Sequence, residues 1–286
     1  MSRWLKVAFF AVLLIGAGYF FGTICGRVGQ AYQLVLSPSK ELLDLLLWFL
    51  LAVGAMSVTA GLVAALLRPV WAAAIAFALS GPAMLLGWKV EVALSSGILI
   101  SAYLAAAFFY VGGVVTELNE RVRFSVRPIS DGQGTLLMAL ILVACGSLYL
   151  AYAPHIKQEG FTLPESYVEV LMEQVEKQVA ARVPAEQREE TVAKLKEEFT
   201  QSVDGFVEHT VKPYEQFIPL VVAASVFMSL TTITRLLAGV PTMLLTVMFR
   251  LLKALGVIEE VTETREVQRL VIQQFSIWQR GGRIGR

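Results

Sequence analysis

Side chains able to do chemistry are few in this chain, and their spacing sets them apart from one another. Histidine occurs only at His155 and His209, and cysteine only at Cys25 and Cys145. A zinc site needs several nitrogen, sulfur or oxygen donors grouped closely, and neither histidine has a cysteine near it in sequence. Both cysteines fall inside apolar stretches, where they read as small packing residues rather than a disulfide framework. Hydrolysis within a membrane calls for a buried aspartate pair, a serine–histidine pair or a His-Glu-x-x-His helix, and no apolar stretch contains one. Asp44 sits one turn beyond Glu41 at the edge of such a stretch, where a carboxylate still reaches water. Asp131-Gly132-Gln133-Gly134 is too short for a phosphate loop and lacks its lysine. These patterns predict no catalytic residue, no metal and no cofactor.

Three other patterns remain. Gly18, Gly22 and Gly26 recur every four residues, so they share one face of a helix and let another backbone come close. Packing against a neighbouring crossing of the same chain is the preferred use, with an oligomer interface as the other. Arg235 stands in an apolar stretch with Ser229, Thr231, Thr232 and Thr234 nearby. A charge in a membrane helix marks a site by default. Near a helix end, however, an arginine snorkels to water and anchors the topology. Anchoring is the preferred reading, and an anion site the alternative. Finally, Ser80-Gly81-Pro82 and Gly239-Val240-Pro241 interrupt two apolar stretches, and each is followed by a similar apolar run. Matched Gly/Pro breaks can mark a transporter's substrate site, whereas kinks tolerated by packing are the plainer explanation.

The elements that must hold these residues are membrane helices. The chain has 286 residues, of which 56% are hydrophobic and 16% charged. Its mean hydropathy of +0.64 is too apolar for a water-facing surface. Stretches of ~20 apolar residues cross a bilayer as helices, because lipid offers backbone groups no partners. The spacing predicts crossings over 7–24, 42–67, 70–87, 92–115, 135–152 and 217–237. The first, preceded by Arg3 and Lys6, is long for a signal peptide and is expected to be retained. Trp88 is expected at the headgroup level. Residues 117–134 read as a polar connector closed by Asp131-Gly132-Gln133-Gly134. The fold class is thus an all-α polytopic membrane protein of about six crossings, with a five-helix region over 1–153.

Between the fifth and sixth crossings the composition changes. Residues 154–216 hold seven Lys/Arg against thirteen Asp/Glu, a net charge of −6. Val168, Leu171, Val175 and Val179, then Val192, Leu195, Phe199, Val203 and Phe206, keep helical spacing on either side of Pro184. An acidic helical hairpin is the expectation. After the sixth crossing, Thr242, Thr246, Arg250 and Lys253 share one face of an otherwise apolar segment, which is how an interfacial helix reads. A seventh crossing is the competitor. The tail 259–286 is polar and ends in Arg280, Arg283 and Arg286.

Cytoplasmic segments are enriched in Lys and Arg. Alternate counting puts Arg3, Lys6, Arg68, Arg121, Arg123, Arg127 and Arg235 on one side, against Arg27, Lys40 and Lys89 on the other. Six crossings add the basic tail to the first side, and seven would erase the bias. The expected placement is the cell membrane, with both termini cytoplasmic and the hairpin outside. Partners are the lipid bilayer and a protein at the acidic hairpin, with no nucleic acid. The preferred function is a non-catalytic scaffold or accessory protein docking partners through hairpin and tail. The alternative is a transporter or channel component built around Arg235, Gly81, Pro82, Gly239 and Pro241.

Overall fold

The computed structural model describes residues 3–30, 40–67, 69–89, 94–120, 126–160, 205, 209, 211–236 and 239–258. The hairpin expected over 154–216 lies mostly outside the described residues, as does the tail 259–286. The described residues form seven α-helices: α1 (Arg3–Gln30), α2 (Lys40–Leu66), α3 (Val70–Trp88), α4 (Leu94–Glu120), α5 (Arg127–Glu159), α6 (Ile218–Leu236) and α7 (Gly239–Ala254). A 3-10 turn, Lys212–Phe217, leads into α6. No strand occurs among the described residues.

Six of these helices are long and apolar enough to cross a membrane, so the chain is a multi-pass membrane protein of all-α class. The seventh, α7, is not among them. Its 16 residues reach about 24 Å at ~1.5 Å each, short of a ~30 Å hydrocarbon core.

Two expectations are corrected. The third helix is not interrupted at Ser80-Gly81-Pro82; α3 runs unbroken with Pro82 inside it. Pro82 is exposed on the surface of the helix. The polar run Asp131-Gly132-Gln133-Gly134 does not close a connector but forms the second turn of α5, beginning with Arg127 and Pro128. Arg127 Nε lies 3.8 Å from Asp131 Oδ2 one turn on, an exposed pair. At its other end α5 continues through Pro154 to Glu159 and closes on Gly160. Trp88, the last residue of α3, is buried against the protein. Trp4 and Trp71, both exposed, lie with ring centroids 6.5 Å apart at the starts of α1 and α3.

Residue pairs that meet across helices give the directions. Gly18, Gly22 and Gly26 of α1 meet Ser80, Met84 and Trp88 of α3 in rising order, so these two run parallel. Cys25 and Gly29 meet Ser147 and Ala151 of α5 in the same sense. Ser57 and Gly61 of α2 meet Gln133 and Ile129 of α5 in falling order. Leu99 and Tyr110 of α4 meet Gly146 and Gly132 of α5 likewise. Hence α1, α3 and α5 point one way, and α2 and α4 the other. Consecutive crossings alternate, as short connectors require. The α6 helix packs mainly along α5 and keeps most of its surface outward.

The chain divides into two units, Met1–Met248 and Phe249–Arg286. In the first, Leu245 of α7 is fully buried. A β-carbon on Gly61 would lie 2.9 Å from its methyl groups and 3.0 Å from Ile129 Cγ2. In the second, the last turn of α7 ends at Gly256, whose φ of 68° is the left-handed conformation favoured by glycine.

Candidate functional site

The longest line of close backbone approach runs between α1 and α3. A β-carbon on Gly18 would sit 2.9 Å from the Ser80 carbonyl oxygen, and one on Gly26 2.9 Å from that of Trp88. On Gly22 it would collide with the Met84 carbonyl. The seam is two-sided: Gly87 of α3 has its own missing β-carbon against the Tyr19 carbonyl. Only glycine leaves the backbones room to touch here, and dispersion over that contact is what joins helices in lipid. The three glycines named from sequence therefore face one neighbouring helix of the same chain. Gly87 was not named, although Ala83 and Gly87 repeat the small-residue spacing on α3.

Beside this seam lies a buried polar pair. The Ser80 hydroxyl donates to the Phe77 carbonyl at 2.7 Å. With its one proton committed, Ser80 Oγ accepts from the Tyr103 hydroxyl at 2.8 Å. Tyr103 is completely enclosed. Thus Ser80, next to Gly81 and Pro82, tethers α4 to α3 rather than facing a cavity. Gly81 packs on the Ile100 and Leu104 side chains of α4.

Other buried polar groups do similar work. Gln133 Nε2 donates to the Ser57 carbonyl at 2.9 Å, joining α5 to α2. The Tyr110 hydroxyl donates to the Ile129 carbonyl at 3.3 Å, joining α4 to α5. Ser147 Oγ lies 2.7 Å from the Ala144 carbonyl and 3.0 Å from that of Cys25, sharing its proton between α5 and α1. Sequence reasoning missed Gln133 because it lay in a run read as a connector. Its signal was present: glutamine one turn past Pro128 fits a helix beginning at Arg127.

Arg235 stands exposed in the last turn of α6. The hydroxyls around it are committed to their own helix: Ser229 donates to the Ser225 carbonyl, Thr232 to Met228 and Thr234 to Leu230, at 2.7–2.9 Å. Thr231 is the exception, its Oγ1 enclosed with no hydrogen-bond partner among the described residues.

The two Gly/Pro motifs occupy unlike positions. Gly81 and Pro82 lie in the middle of α3, whereas Gly239 and Pro241 form the first turn of α7. A first-turn proline forfeits no helical hydrogen bond, while one in mid-helix leaves a carbonyl without its donor. The structure does not bring these four residues and Arg235 together as matching halves.

Cys25 and Cys145 are buried free thiols, and His155 stacks on Tyr152 with centroids 6.5 Å apart. Among the described residues no group of three His, Cys, Asp or Glu could hold a metal ion. No protein-family model, no curated protein and no solved structure matches the chain.

Proposed function

We propose that this chain is a non-catalytic scaffold or accessory protein of the cell membrane. It docks protein partners through the acidic segment 154–216 outside and the basic tail 259–286 inside, with both termini cytoplasmic. One observation supports this reading above the rest. Among the described residues, the buried polar side chains are Ser57, Thr59, Ser80, Ser96, Gln133 and Ser147, none of them charged. Ser57 and Thr59 bond back to carbonyls of their own helix, while Ser80, Gln133 and Ser147 each bond to a neighbouring helix, so these groups serve the packing of the helices instead of lining a path. A protein whose interior is spent on packing has its remaining chemistry at its edges. There the charge asymmetry between hairpin and tail offers two distinct surfaces.

The test is proximity labelling and affinity capture of the full-length protein from its own membrane, beside a variant with 161–204 replaced by a short polar linker. The expected result is a stoichiometric partner lost with the hairpin. A transporter component is the second reading, favoured by the unpartnered Thr231 hydroxyl one turn before Arg235. Its outcome is different: no partner, a solute that raises thermal stability, and flux in vesicles abolished by Arg235→Gln.

A further inference from the structure

The surface of α7 divides into three sectors, and each asks for a different medium. On one, Leu245 is fully buried, its methyl groups against Gly61 of α2 and next to Ile129 of α5. On the second, Val240, Met243, Leu244 and Val247 are 50%, 71%, 48% and 45% exposed. The same spacing continues to Leu251, 52% exposed. On the third lie Thr242, Thr246, Arg250 and Lys253 at steps of four, four and three; the threonines are half-buried and the two cations exposed.

A helix in water would not present five large apolar side chains in one stripe. A helix crossing the bilayer would have no use for two cations and two hydroxyls in another, and α7 is too short to cross. The two stripes are centred about 120° apart at ~100° per residue, and the packed sector lies in the remaining arc. A helix lying in the plane of the headgroups has just this pair of exposed faces, one toward acyl chains and one toward water. The level is fixed as well. Gly61 lies in the last two turns of α2 and Ile129 in the first turn of α5. The first half of α7 is therefore at the membrane face where α2 leaves the bilayer and α5 enters it.

We propose that α7 is an anionic-phospholipid binding element. Val240, Met243, Leu244, Val247 and Leu251 sink among the acyl chains of that leaflet, while Arg250 and Lys253 pair with phosphate-bearing headgroups. Charge complementarity between the two cations and phosphate, beside an exposed apolar stripe, identifies the occupant. The inference is independent of what the hairpin or tail binds.

Spin labels placed singly at Met243, Val247 and Leu251, and at Thr246, Arg250 and Lys253, in full-length protein reconstituted into phosphatidylglycerol–phosphatidylcholine vesicles test it. Oxygen accessibility should dominate at the first three positions, and accessibility to a water-soluble nickel chelate at the second three. A smooth gradient through all six would show a spanning helix. Uniform nickel access, or immobilised labels at Val247 and Leu251, would show a helix in water or under a protein partner. Each of those patterns overturns the proposal. Separately, spin-labelled phosphatidylglycerol should associate more strongly than phosphatidylcholine. That preference should fall by up to about fivefold per charge removed in Arg250→Gln and Lys253→Gln, at a gain of ~1 kcal/mol per surface cation. An unchanged preference in the double variant sinks the headgroup assignment even if the depth profile holds.

Discussion

At Gly22 a single hydrogen atom decides whether two helices can touch. The absent β-carbon would occupy the position of the Met84 carbonyl. Gly22→Val is expected to cost about 3 kcal/mol or more, the upper end for overpacking, because the atoms struck are backbone and cannot rotate away. Gly16→Ala, on the same helix with nothing within 4 Å of its new carbon, should be neutral or stabilising by up to about 1 kcal/mol. Unfolding in mixed detergent micelles, followed by circular dichroism, reads both; equal effects would remove the seam as the reason. The Ser80–Tyr103 pair makes a second, asymmetric prediction. Tyr103→Phe removes one bond and leaves Ser80 satisfied by Phe77, a loss of about 0.6 kcal/mol. Ser80→Ala instead strands a fully enclosed hydroxyl and should cost about 1–3 kcal/mol. The reverse order would mean that Tyr103 does not donate to Ser80.

At the scale of elements, the lesson concerns proline and polar runs. Residues 131–134 look like a turn by composition, yet they are helical because Pro128 suits a helix's first turn and Gln133 finds an acceptor on α2. Ser80-Gly81-Pro82 looks like a break, yet helix continues on both sides, held by contacts of Ser80 and Gly81 with α4. Both cases turn on a partner far away in sequence, which local composition does not contain. Pro82→Ala restores the missing donor to α3 at an outward-facing position. It should leave assembly intact and raise stability by up to ~3 kcal/mol, measured by the same unfolding assay. Loss of assembly would mean that the proline, and not its neighbours, holds α3 and α4 in register.

For the whole molecule, the paired levels of α1, α3 and α5 against α2 and α4 define two faces, and thiol labelling can say which is which. Cys25 and Cys145 are buried, so the natural protein should not react with a membrane-impermeant maleimide. Lys89→Cys, just past the end of α3, is expected to label in intact cells. Arg127→Cys and Arg283→Cys should label only after permeabilisation. Tail labelling that tracks Lys89 would establish a seventh crossing, and the reverse pattern at all three sites would invert the molecule.

What the sequence determined alone was the medium and the scaffold: long apolar runs in a chain with few charges must be bilayer helices, since no other structure satisfies backbone groups in lipid. It also determined which face of α1 has no side chains, because glycine spacing is written locally. The partner of that face, the continuity of α3, the helical state of Gln133 and the level of α7 were decided only by tertiary structure. Each depends on a contact between separate helices, as between Ser80 and Tyr103, Gln133 and Ser57, or Leu245 and Gly61. In lipid such contacts rest on close shape and single hydrogen bonds rather than on a hydrophobic pattern, so periodicity has no record of them. The glycine-lined face of α1 was therefore legible, and the helix that fills it was not.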